Sequence, residues 1–362
     1  MIRWIKAVSR GFALMLLAIG LAMGDAAPAW AAAPGADQPC WKRPGPETLE
    51  EILHLSGKDG RRFQKDLEDR APSRNVLLLS DGYMNLAYGA GLIVGWGETG
   101  QRPRFAVITA AGAGALIAPF AFLGLDGDPM LAEIFNCPAE SIEALAERAA
   151  SLIDTKLLAA IAREHQAGRR LLFALQRSPA RPATVWDIGL LAAKGNVEAV
   201  TTIRTILRAS IGPYPAADAN SALDEAKTLL PVQPAQHEMK SGREFLLPAQ
   251  LTPVADARTR YYFIHNDPFT LSQNAINATY REQARGNAGQ APALLSGDEA
   301  VGHVLATGGR FGFAAPNSRG AMGLFSQAQF DHAYLSATFH RAFRNGRMGK
   351  EWTAGAAGER QN

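Results

Sequence analysis

Phe105-Ala106-Val107-Ile108-Thr109-Ala110-Ala111-Gly112-Ala113-Gly114-Ala115-Leu116-Ile117-Ala118-Pro119-Phe120 decides how the rest of the chain is read. Its first five residues are a short continuous apolar run of buried-strand type. The small residues from Ala110 to Gly114 make a turn, and an apolar helix follows from Ala115 to about Leu123. A sharp strand-to-helix turn of small residues around one central position is the geometry of a nucleophile elbow. Such a turn aims its central residue, here Gly112, at a site where backbone N–H groups favour an anion.

A second junction of the same kind lies upstream. Val76-Leu77-Leu78-Leu79-Ser80 reads as a buried strand, Asp81-Gly82-Tyr83 as a turn, and Ala87 to Glu98 as a Gly-rich, closely packed helix. Downstream, two helical stretches cover roughly 139–167, Arg170 to Leu175 is a third strand, and Asn196 to Ser210 is a helix. Arg258 to His265 reads as a strand, and 296–346 as mainly helical. Residues 216–256 show no convincing period. Strands alternating with helices predict a three-layer α/β/α fold with a central, mostly parallel sheet. In such sheets sites form at the carboxyl ends of the strands.

The first residues stand apart. Arg3, Lys6 and Arg10 precede the apolar run Gly11 to Met23, and Ala29-Trp30-Ala31 offers the small residues of a cleavage site. This predicts a signal peptide over 1–31, cleaved near Ala31, and a periplasmic or secreted protein. The run is too short for a comfortable membrane anchor, which needs about 20 residues. No transmembrane helix is then expected after cleavage. Residues 32–72 read as a linker and a surface helix, 73–350 as one domain, and 351–362 as a flexible tail.

The chain of 362 residues carries 37 basic and 34 acidic side chains. Losing Arg3, Lys6, Arg10 and Asp25 with the leader leaves 34 against 33. Such a balance gives no electrostatic footprint for nucleic acid. No HExxH or CxxC spacing is present, so neither a metal nor another cofactor is expected. Export permits a Cys40–Cys137 disulfide, and two independent thiols remain equally open.

The two junctions together resemble the patatin-like phospholipase family, in which G-G-G-x-x-G follows one strand and G-x-S-x-G the next. Further stretches agree in order: 167–172 (AGRRLL), 185–189 (VWDIG), 260–266 (RYYFIHN) and the helix from Phe330-Asp331 to Phe343. The resemblance implies a lipid acyl-ester hydrolase scaffold with a Ser-Asp dyad, a carboxylic ester hydrolase of lipid metabolism. It also places each catalytic part, and each is altered. The nucleophile falls on Gly112, between Ala110 and Gly114, and glycine cannot form an acyl-enzyme. The oxyanion-loop glycines fall on Asp81, Gly82 and Tyr83, where a carboxylate opposes oxyanion stabilisation. The dyad Asp falls on Gly242, with Glu238 and Glu244 nearby.

Three altered parts point to a catalytically inactive pseudoenzyme, because catalytic groups act as a unit. A lipid or fatty-acid ligand, or an active paralogue as partner, is what the resemblance then implies. The alternative is an active lipid acyl hydrolase using other residues such as Ser80 or Asp81. Of the remaining residues, His165 reads as a surface histidine and Asp187 as a helix cap. Tyr261 and Tyr262 read as strand-face fillers, and Arg169-Arg170 as a solvated pair.

Overall fold

The computed structural model describes residues 74–82, 85–175, 183–211, 233–234, 244–247, 259–284, 293–316, 331–349 and 351–356. The expected signal peptide, linker and surface helix lie outside them, as do Cys40, Tyr83, Glu238, Gly242 and most of 216–256.

The strands are β1 (Arg74–Leu79), β2 (Val107–Ala111), β3 (Arg170–Leu175), β4 (Thr184–Asp187), β5 (Gln233–Pro234), β6 (Phe245–Leu247), β7 (Thr259–Ile264), β8 (Ala293–Leu295), β9 (Arg310–Ala314) and β10 (Thr353–Ala356). The helices are α1 (Ala87–Glu98), α2 (Ala118–Leu123), α3 (Asp128–Asn136), α4 (Ile142–Leu152), α5 (Thr155–Gln166), α6 (Ile188–Ala192), α7 (Val197–Ala209), α8 (Gln273–Ala284), α9 (Gly297–Ala306) and α10 (His332–Met348). One sheet runs in the order β10-β9-β7-β1-β2-β3-β4-β5, and β6 pairs with β8 in a separate ribbon. Strands β9, β7, β1, β2 and β3 are mutually parallel, with antiparallel β10 at one edge and antiparallel β4 and β5 at the other.

Both faces of this sheet are buried, which is why its strands read as unbroken apolar runs. Successive residues point to opposite faces. Leu77, Leu79, Ile108, Ala110, Phe173 and Ile264 pack with α1, α2, α3 and α10 on one side. Val76, Leu78, Val107, Tyr261 and Phe263 pack with Phe245 of the ribbon and with α8 and α9 on the other. The result is a three-layer α/β/α architecture.

Helix α1 is buried from Ala87 to Gly97, and its glycines explain how. A Cβ on Gly91 or Gly95 would overlap the carbonyl oxygen of Phe339 or Phe343 on α10. Glycine is the only residue that lets the two backbones approach so closely. Most other helices start on a polar side chain that accepts a first-turn N–H: Ser141, Asp154, Asp187, Asn196, Ser296 and Asp331.

Several expectations need correction. Arg310–Ala314, inside a stretch read as helical, is a parallel strand beside β7. The helix expected from Ala115 is a 3-10 turn over Gly112–Leu116 and then α2, because Pro119 belongs in a first helical turn. The tail begins later than residue 351. Glu351 accepts a bond from Tyr88, Trp352 packs on Trp96 and Tyr262, and β10 pairs with β9.

Candidate functional site

The chain leaves β1 toward β2 and β3, then returns to the other side of β1 for β7 and β9. The strand order therefore reverses between β1 and β7, and a crevice at the carboxyl ends is expected at such a switch point. Ser80-Asp81-Gly82, the turn after β2, and His265-Asn266-Asp267 meet at this place.

Asn266 holds the junction together. Its Nδ2 donates to the Ser80 carbonyl at 2.8 Å, and its backbone N–H donates to Ser80 Oγ at 3.0 Å. Its Oδ1 accepts from the Gly89 N–H at 3.0 Å. Ser80 Oγ in turn donates to the Asp81 carbonyl at 2.8 Å. Nearby, Asn85 Nδ2 donates to Asp267 Oδ1 at 2.7 Å, and Tyr334 of α10 donates to Asn85 Oδ1. The sequence reading did not single out Asn266 or Asp267. The available signal was a polar trio directly after the apolar run Tyr261–Ile264, which places it at a strand's carboxyl end.

The turn after β2 runs straight into a 3-10 turn over Gly112–Leu116. Gly112 has φ +51, and Ala111 before it is extended. Gly114 packs so closely on β1 that a Cβ would lie 2.6 Å from the Ser80 carbonyl oxygen. Ala110 faces the core, and Thr109 is bound through Oγ1 to the Leu246 carbonyl at 2.7 Å.

Asp81 crosses from the first junction to the second. Its Oδ1 accepts from its neighbour's Gly82 N–H at 2.7 Å and from the Ala113 N–H at 3.2 Å. A Cβ on Gly112 would overlap Asp81 Oδ2 and stand 3.0 Å from Asp81 Cβ. The carboxylate thus fills the space that a side chain at 112 would need. Gly82, at φ +138, allows the chain to turn against Asn266, whose Cβ a side chain at 82 would overlap.

Other sequence candidates lie elsewhere. Glu244 is buried just before β6. His165 is largely buried rather than on the surface, 3.6 Å from Asp187 Oδ1. Burial lowers its pKa, against the pull of Asp187. Asp187 caps α6. Tyr261 and Tyr262 are buried on opposite sheet faces.

Arg169 and Arg170 are not a solvated pair. Arg169 donates to the Phe105 carbonyl at 2.6 Å and to Glu164 at 2.7 Å, with its guanidinium 4.2 Å from the Phe122 ring centre. Arg170 donates to the His165 and Arg169 carbonyls.

A cavity of about 370 Å³ opens at the amino ends of the strands, lined in part by Arg102, Arg104, Phe105, Phe122, Glu164 and Arg169. Its cations are already engaged. Arg102 makes two bonds to Asp128, at 2.9 and 3.0 Å, and Arg104 pairs with Glu164.

Among the described residues, no group of three or more His, Cys, Asp or Glu side chains could hold a metal ion. Among the same residues, no helix is long and apolar enough to cross a membrane. Cys137 is buried and is not a free thiol. Compared with protein-family models, curated proteins and solved structures, the chain matches none.

Proposed function

We propose that this is an exported protein on a patatin-like scaffold that has given up acyl-ester hydrolysis and serves lipid binding or regulation of an active relative. One observation carries the reading: the Asp81 carboxylate lies over Gly112 and accepts both N–H groups that would face a reacting carbonyl. Acyl transfer at an elbow needs a nucleophile at its centre and free donors for the oxyanion. Here the first is a glycine, and the second are held by an internal anion. A single oxyanion donor is worth roughly 3 kcal/mol of transition-state stabilisation, so occupying both removes a large part of any catalysis.

The alternative reading, hydrolysis through Ser80 or Asp81, has less support. Ser80 is fully buried, its Oγ proton is donated to a carbonyl, and its lone pair is used by Asn266. A hydroxyl bound on both sides has no base to activate it and no path to a substrate.

The test is hydrolysis of short and long acyl esters by the purified mature protein beside a Gly112→Ser variant. No turnover by either is expected, because Asp81 still covers the new hydroxyl. Wild-type turnover that survives purification and resists a serine-directed fluorophosphonate would overturn the reading.

A further inference from the structure

The two N–H groups on Asp81 come from different junctions, Gly82 after β1 and Ala113 after β2, and converge on a single oxygen. We propose that Asp81 is an internal plug in a carboxylate site, and that removing its side chain opens this donor pair to a carboxylate from solution. Only the choice of a fatty acid as the calorimetric probe rests on the function proposed above; the plug rests on the geometry.

The walls of the site do not depend on the Asp81 side chain. The Gly82 N–H is fixed by the turn that Asn266 clasps through Ser80. The Ala113 N–H is fixed by the elbow, held against β1 by the close approach of Gly114 to the Ser80 carbonyl. Gly112 contributes no side chain, and the atoms nearest to where its Cβ would lie are Oδ2, Cγ and Cβ of Asp81.

Ala113 is fully buried, so its N–H depends on this partner. A buried N–H without an acceptor is costly, and a charged acceptor makes the stronger bond. A free carboxylate placed in the same space can repeat the bonds: one oxygen on two donors, the other over Gly112. The resident group has this size and single charge, which favours a monocarboxylate over a phosphate.

The experiment is rescue of Asp81→Gly by acetate. The variant should lose roughly 2–6 °C of Tm, the scale expected for orphaned donors in a chain of this size. Sodium acetate, on the order of 50 mM, should restore most of the loss through binding to the folded state, while equal sodium chloride should not. Wild type should respond to neither. Calorimetry with octanoate should show binding to the variant roughly tenfold tighter than to wild type, with octanol giving no such difference.

Equal responses of the variant to acetate and chloride would overturn the proposal. If Asp81→Gly does not fold on expression, refolding yield in acetate against chloride carries the same two outcomes. Asp81→Asn keeps an acceptor oxygen in place and should gain no acetate response; a response equal to that of Asp81→Gly would also overturn the plug. Ester hydrolysis plays no part in these measurements. An active wild type would defeat the proposed function and leave the plug standing, and an absent acetate effect would do the reverse.

Discussion

Asp81 at the carboxyl end of the central sheet is held differently from the carboxylates at its amino end. At the amino end Asp128 and Glu164 meet guanidinium groups: Arg102 grips Asp128 with two bonds, and Arg169 and Arg104 share Glu164. At the carboxyl end Asp81 is held by backbone N–H groups, in a turn lined by Gly82, Gly112 and Gly114. Side-chain ion pairs bind elements of the fold to one another. Backbone donors converging on one point form a place for an anion, whichever molecule supplies it. The contrast separates an end tied by side-chain ion pairs from an end where the chain's own carboxylate accepts converging backbone donors.

The largest effect is expected at the amino end. Arg102 and Asp128 are almost wholly buried, with side chains 4% and 11% exposed. Arg102 also donates to the Ile93 carbonyl at 2.8 Å, so Arg102→Ala removes three bonds and leaves a buried carboxyl. Losing one partner of a buried pair costs about 3–5 kcal/mol. Burial already raises the Asp128 carboxyl to about 7 against the pull of Arg102. The cost should therefore be larger at pH 8 than at pH 5, where Asp128 takes up a proton. Urea unfolding at the two pH values checks this. A cost that is small and independent of pH would break the contrast, because the amino-end pair would then not be holding the fold.

The carboxyl end should respond less to a single change and more to a pair. Gly112→Ser puts a side chain at φ +51 and into the Asp81 carboxylate, and should cost about 1–3 kcal/mol. In an Asp81→Gly background the overlap disappears and only the backbone strain remains. The double-mutant cycle should then show coupling on the order of 1 kcal/mol, with Gly112→Ser better tolerated once Asp81 is gone. Additive costs would mean that the two residues do not compete for space, and the contrast would lose its carboxyl-end half.

This coupling also marks where the sequence stopped being legible. Strands β1, β2, β3 and β7 could be read because parallel strands buried on both faces are unbroken apolar runs. The tight turn after β2 could be read because a chain passing from strand to helix at one point demands small residues, and Ala110 to Gly114 are all small. Strand β9 could not: Arg310-Phe311-Gly312-Phe313-Ala314 has a glycine at its centre and is ordered by its partners β7 and β10. The placement of Asp81 against Gly112 spans 31 positions, and Asn266 closes on Ser80 across 186. No local period carries such contacts, because they exist only once the strand order is set. The sequence put a carboxylate at position 81 in the turn after β1, but could not show that it would accept the N–H groups of Gly82 and Ala113.

Helix α3 links the two ends and supplies the smallest effect. It starts at Asp128 beside Arg102 and ends at Asn136, next to Cys137, whose backbone bonds His332 at the start of α10. Near its far end Glu133 is also raised to about 7, by burial first, with Arg148 pulling the other way. Arg148 is a weak counterweight because it donates to the Ile134, Cys137 and Pro138 carbonyls, and Glu133 Oε1 is buried without a hydrogen-bond partner. A carboxyl raised from 4.5 to about 7 binds its proton more tightly when folded. Its contribution to stability is therefore fully present below pH 4.5 and lost as pH rises through about 7. Glu133→Gln removes this titration. Relative to the variant, wild type should lose stability between pH 4.5 and about 7 and run parallel to it above that range. The total should be on the order of 1 kcal/mol or less, because Glu133 is only about half withdrawn from solvent, which screens it. Thermal unfolding of both proteins across this range decides the matter. A constant difference would show that Glu133 stays ionised, and α3 would then differ at its two ends in protonation as well as in partner.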